Sequence, residues 1–89
     1  MINNIETYGF LQSGWHRTEI TTTDTVQTIY QGKCSNGSGD GSAPIWCIKK
    51  VIITTVENVQ TIVEQFADGD LRFDNVWADR ASLTYKFLS

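Results

Sequence analysis

Residues 45–55 read IWCIKKVIITT, and no other stretch limits the possible folds of this chain so strongly. The run is apolar on both of the faces between which a strand alternates its side chains, broken only by Lys49 and Lys50. A strand of that kind needs cover on both sides, so it belongs at the centre of a sheet or beneath a neighbouring subunit. That makes Trp46, Lys49 and Lys50 candidate interface residues. Consecutive lysines send one ammonium to each face, where it must reach a rim, run past apolar neighbours or meet a carboxylate. Pro44 precedes the run, at a first position where a missing N–H does no harm.

Shorter runs of strand-forming residues surround it. Residues 15–23 (WHRTEITTT) suit a half-buried or edge strand, and residues 26–33 (VQTIYQGK) follow a turn at Asp24-Thr25. Val56-Glu57-Asn58 reads as a hairpin turn that returns the chain through residues 59–66 (VQTIVEQF). Asp68-Gly69-Asp70 is a second turn cluster, and residues 83–88 place Leu83, Tyr85 and Phe87 on one face as a closing strand. Residues 1–14 read as a polar N-terminal arm whose Tyr8-Gly9-Phe10-Leu11 patch could add a short strand or reach a neighbour. Residues 15–89 then form a single β domain. The expected fold is all-β, a small antiparallel sandwich or barrel of six to seven short strands with one short helical turn near the C-terminus. VQTI occurs at residues 26–29 and again at 59–62, a recurrence that chance explains. A chain of 89 residues buries only about 60 to 65% of its unfolded surface. Its stability is modest or shared with a partner.

Most chemical functions find no support in the residues. A net charge of −3 with interspersed signs, and Lys49-Lys50 as the only adjacent basic pair, argue against nucleic acid as a partner. No apolar run reaches the roughly 18 to 20 residues that span a bilayer. The N-terminus lacks a basic and an apolar signal region, so cytoplasmic synthesis is expected. The Gly/Ser-rich loop 35–42 has no Lys and no following helix, which sets it apart from a phosphate cradle; it reads as a flexible hairpin connector. Asn36-Gly37-Ser38 matches a glycosylation sequon, taken as coincidental without a secretion signal. Asp68, Asp70, Asp74 and Asp79 crowd together but lack the order of a calcium loop and the bidentate Glu that completes one. Nothing places two of them in a cleft as a glycosidase pair. His16, the one histidine, reads as exposed or at a rim. Cys34 and Cys47 are spaced wrongly for zinc; they are either free packed thiols or a bridge across the loop. No catalytic residue, metal ligand or cofactor is expected, and the chain is not read as an enzyme.

The most particular residues build a corner. Asp74 stands where an N-cap would, before a short helical segment, residues 75–80, that carries Trp77. Arg80 can satisfy that segment's last carbonyls or fork onto Asp70 or Asp74. Trp77 is expected to plug one end of the domain. The tryptophans would instead line an exposed row if the domain bound carbohydrate.

With those residues in view, the second half of the chain resembles a class of small virion structural proteins of tailed bacteriophages. The resemblance rests on Trp46-Cys47-Ile48-Lys49-Lys50, Ala67-Asp68-Gly69, and the stretch FDNVWADRASLTY from Phe73 through Tyr85. It implies a repeated component of a particle: a capsid decoration or cement protein, or a head–tail or tail accessory subunit. The partners it implies are other virion proteins and copies of itself, as a homo-oligomer or bound to a lattice, with the virion as location. Residues 1–33 carry no part of the resemblance.

Overall fold

The computed structural model describes residues 15–36 and 38–88. The described residues form a small all-β antiparallel domain of six strands with one short 3₁₀ turn near the C-terminus. The strands are β1 (Arg17–Thr23), β2 (Val26–Cys34), β3 (Pro44–Val56), β4 (Val59–Ala67), β5 (Asn75–Val76) and β6 (Tyr85–Lys86), and the 3₁₀ turn is Trp77–Ser82. Hydrogen bonding runs in the order β1-β2-β3-β4-β6, with β5 added to β3 beyond the end of β4. The expected arm, residues 1–14, and its Tyr8-Gly9-Phe10-Leu11 patch lie outside the described residues.

β3 is the central strand, and both of its faces are buried. Its 13 residues, at about 3.3 Å each, account for the 40 Å long axis of the molecule. One face carries Trp46 and Ile48, which join Cys34, Ala67 and Trp77 in a core closed by Tyr30, Leu83 and Tyr85. The opposite face carries Val51 and Ile53, packed with Ile29. The two lysines divide as the alternation requires. Lys49 is buried on the second face with its ammonium 3.3 Å from Glu64. Lys50 runs along the first face to within 5.9 Å of the Tyr30 ring and 5.4 Å of the Tyr85 ring.

Turn chemistry sets the hairpins. Asp24 (φ 52°) and Glu57 (φ 56°) each take the left-handed conformation at the first position of a two-residue connection. Asp68 (φ 62°) and Gly69 (φ 73°) do the same for the turn that leaves β4. The two VQTI segments, read from sequence as chance, occupy equivalent places. Each opens the returning strand of a hairpin, β2 in one and β4 in the other. Gln27 donates its side-chain amide to Thr22 at 3.2 Å, and Gln60 donates its own to Thr55 at 3.5 Å. With the structure as guide the similarity widens. Residues 20–29 (ITTTDTVQTI) and 53–62 (ITTVENVQTI) are identical everywhere except at the three tip residues. They share one register, Ile20 opposite Ile29 and Ile53 opposite Ile62. The hairpin is duplicated.

The closing strand is shorter than its sequence pattern suggests. Only Tyr85 and Lys86 pair, with Ala67 and Phe66, and Phe87 is 65% exposed rather than in the core. Its alternation with Tyr85 is real, but the ladder ends before it.

Gly32 is the tightest point of the fold. A Cβ there would lie 2.6 Å from two carbons of the Trp77 ring and 2.8 Å from Trp46. Gly32→Ala should therefore destabilise the domain by about 1 to 3 kcal/mol through overpacking, measured by denaturant unfolding. A change of this size is expected although alanine suits a strand as well as glycine does.

Candidate functional site

Three of the residues singled out in the sequence, Trp46, Trp77 and Arg80, meet at one end of the sheet. Trp46 enters from β3 and Trp77 from the 3₁₀ turn, with ring centroids 5.4 Å apart and planes tilted by 37°. Two guanidinium groups cover the pair. Arg17 lies 5.3 Å from Trp46 and 5.9 Å from Trp77, and Arg80 lies 4.7 Å from Trp77. Cations over indole faces are attracted by the ring quadrupole, the more so where water is partly excluded.

Arg80 is fixed by a fork. Its Nε and Nη2 donate to the two Glu19 carboxylate oxygens at 2.9 and 2.7 Å, and its Nη1 donates to the Trp77 carbonyl at 3.1 Å. The expected partners were Asp70 or Asp74; the partner is Glu19, on β1. Among the corner residues, Trp77 is buried as anticipated, and Arg80 does bond a carbonyl of its own turn. The expected cap is absent. The residue at the N-cap is Val76, no side chain caps the turn, and the helical segment begins at Trp77 because Asn75–Val76 pairs with β3. Asp74 is exposed and accepts a bond from its neighbour Asn75 at 3.3 Å. Tyr85 completes the corner by donating its hydroxyl to the Arg80 carbonyl at 2.7 Å.

Two of the candidate interface residues are internal. Trp46 is 1% exposed because it packs beneath Trp77, and Lys49 is 4% exposed beside Glu64 and the ring of Trp15 at 4.6 Å. Neither presents a surface; Lys50 is half-buried.

The described residues of the Gly/Ser-rich loop are tied down by hydrogen bonds. Asn36, Ser38 and Asp40 side chains each accept from the backbone N–H two residues on, at 2.9, 3.2 and 2.9 Å. The corner also grips it. Trp46 Nε1 donates to the Asp40 carbonyl at 2.9 Å, Arg17 to the Gly39 carbonyl at 3.2 Å, and the Ala78 N–H to the Gly41 carbonyl at 2.9 Å. Composition suggested an entropic connector; the indole and guanidinium donors needed acceptors, and the loop backbone supplies them.

Sequence reasoning missed the neighbourhood of His16. Its Nδ1 accepts from the Cys34 backbone N–H at 3.1 Å and lies 3.5 Å from the Cys34 sulfur. The pair has the composition of a nucleophile and its base, but not the wiring. The Nδ1 lone pair is already engaged by the backbone, and the thiol donates to the Asn36 carbonyl at 2.8 Å. The turn at Asp24-Thr25 was the available signal, since it sets Arg17 opposite Gly32 and brings His16 beside the end of β2. Cys34 and Cys47 are free, and the register places them on opposite faces, Cys34 opposite Trp46 and Cys47 opposite Lys33. A bridge between them is sterically barred. Burial pushes the Cys47 thiol up, away from the reactive thiolate. Among the described residues no cluster of three His, Cys, Asp or Glu side chains is placed to hold a metal ion. No family model matches the chain, and neither a curated protein nor a solved structure matches it.

Electrostatics at the corner serve cohesion. The hydrogen bond from Arg80 holds the Glu19 carboxyl below its ordinary 4.5, and Glu19 raises Arg80 in turn. Burial, then the neighbouring Tyr30, raise Tyr85 above its ordinary range.

A carboxyl held low when folded stabilises the domain above its unfolded value, and that contribution is lost as pH falls through the folded value. Wild type should therefore lose its advantage over Glu19→Gln as pH drops below 4.5, followed by thermal melts across acid pH. Replacing residues 35–42 with a two-residue Asn-Gly turn should cost about 1 to 3 kcal/mol, because the buried Trp46 N–H loses its acceptor. Urea titration of the shortened protein measures that loss.

Proposed function

We propose that this chain is a structural subunit of a tailed-bacteriophage particle, a head decoration or cement protein or a head–tail or tail accessory subunit. It acts through protein–protein assembly. The single observation that carries the reading is the set of large apolar side chains left outside the core. Val56 and Val59 face each other across the β3–β4 tip at 60% and 64% exposure. Ile20, Ile62, Leu71, Phe73, Phe87 and Leu88 are exposed as well. A domain of 89 residues has little core to spare, and a partner that covered these groups would add the burial that its own fold leaves unused.

The string that resembles phage virion proteins supports the same reading by what its residues do. Trp46, Trp77, Arg80 and Tyr85 bind one another and the loop, which is the work of a shape-determining corner. A carbohydrate-binding module is the weaker reading, because Trp46 and Trp77, which it would need in an exposed row, are in the core.

Mass spectrometry of tailed-phage particles purified from a lysate in which this sequence is expressed is the direct test. The chain should be present in many copies per particle and remain through density-gradient purification. Particles free of it, from cells in which it is expressed, would overturn the proposal.

A further inference from the structure

The duplicated hairpin leaves two strand edges without a described neighbour, and they are the two halves of a junction that the molecule already contains. Inside the chain, the VQTI strand of the first hairpin (β2) receives the ITT strand of the second (β3) along its outer side, with Val26 opposite Thr54 and Ile29 opposite Val51. The seam begins at the tips, where the Thr55 N–H donates to the Thr25 carbonyl at 2.9 Å. The VQTI strand of the second hairpin, β4, pairs with β3 on one side and with β6 on the other, but the latter only at Phe66 and Ala67. Beyond residues 59–65 lies no described strand. Among the described residues the ITT strand of the first hairpin, β1, pairs with β2 alone.

We propose that β4 of one copy receives β1 of a second copy, in the register that β2 uses for β3. Transferred by the repeat, that register sets Val59 opposite Thr21 of the second copy and Val63 opposite its Arg17. The Thr22 N–H of the second copy then meets the Asn58 carbonyl, as Thr55 meets Thr25 within the chain. In the two-residue hairpin, Val56 and Val59 bond each other, so the backbone groups of Ile62 and Glu64 point outward to receive the incoming strand. The pairing is head-to-tail, which generates a ring or a filament according to the rotation per step.

Three features favour a second copy as the occupant. At the tip end the new junction repeats the existing one residue for residue, Val59 opposite Thr21 as Val26 is opposite Thr54, while farther in Glu19 and Thr18 stand where β3 has Ile52 and Val51. No like charges would face each other: Thr61 meets Glu19, Val63 meets Arg17, and Glu64 meets His16. Neither β1 nor residues 59–65 carries a proline, a lysine or a bulge, the devices by which open edges are protected from pairing. The inference deepens the assembly reading by naming the partner and the surface, and it rests on that reading for its setting alone.

The test is directed cross-linking in the isolated protein. Thr21 and Val59 fall at a position without mutual backbone bonds in the proposed junction, where Cβ atoms come closest. Within one chain they are separated by β2 and β3, so a bond between them joins two molecules. The double variant Thr21→Cys/Val59→Cys, oxidised after folding, should give a ladder of linked multimers on non-reducing gels. Each single variant should stay unlinked. Ile62→Pro, which removes only an outward N–H, should abolish the ladder in the double variant, with near-ultraviolet circular dichroism reporting that Trp46 and Trp77 remain packed.

A folded double variant that does not link overturns the proposal, as do single variants that dimerise as efficiently as the double variant links, the mark of a symmetric edge. A ladder from a chain that particles lack supports the pairing and removes the virion reading. A particle-bound chain that stays unlinked overturns the pairing and leaves that reading standing.

Discussion

The fold depends on one close contact, the indole of Trp77 laid on the bare backbone of Gly32. Any side chain at residue 32 would occupy the space of the ring. With the ring there, Trp46 is sealed from water, Arg17 and Arg80 have an aromatic surface to cover, and the Gly/Ser-rich loop has donors to meet. The corner behaves as one unit in which aromatic packing, a fork and loop hydrogen bonds share members. Loss of one member leaves others with unmet polar groups, which is why such networks are held or lost together.

The rest of the sheet is simpler. Two copies of a ten-residue hairpin, residues 20–29 and 53–62, lie side by side and join along the pairing of β2 with β3. β3 is therefore paired along both edges and buried on both faces, while its equivalent in the first hairpin, β1, is largely exposed. The same local sequence thus meets opposite environments. Ile53 is 1% exposed and Ile20, its counterpart, is 42% exposed. That asymmetry comes from position in the sheet: β3 lies between two strands, while β1 has β2 as its one neighbour among the described residues.

The corner also shows how far residue type can mislead. Asp74 has the chemistry of a cap and the spacing of one, yet Asn75 and Val76 are drawn into pairing with β3 and displace the start of the helical turn. Arg80 has three nearby aspartates in sequence and chooses a glutamate 61 positions away. In both cases a long-range strand contact outweighs a local preference that is worth only about 1 kcal/mol.

Sequence alone left β3 either at the centre of a sheet or beneath a neighbouring subunit and Trp77 either a plug or part of an exposed row, but it determined the all-β class, the hairpin turns at Asp24 and Glu57, and the division of Lys49 and Lys50 between faces. These follow from alternation and turn chemistry, which act between residues a few positions apart. The VQTI repeat is legible in the sequence, and the structure added its shared register. The tertiary structure alone decided that Glu19 holds Arg80, that His16 stands beside Cys34, and that the loop is gripped by Trp46 and Arg17. Each of those depends on strand order and register, which bring distant residues to within hydrogen-bond reach and leave no trace in local pattern.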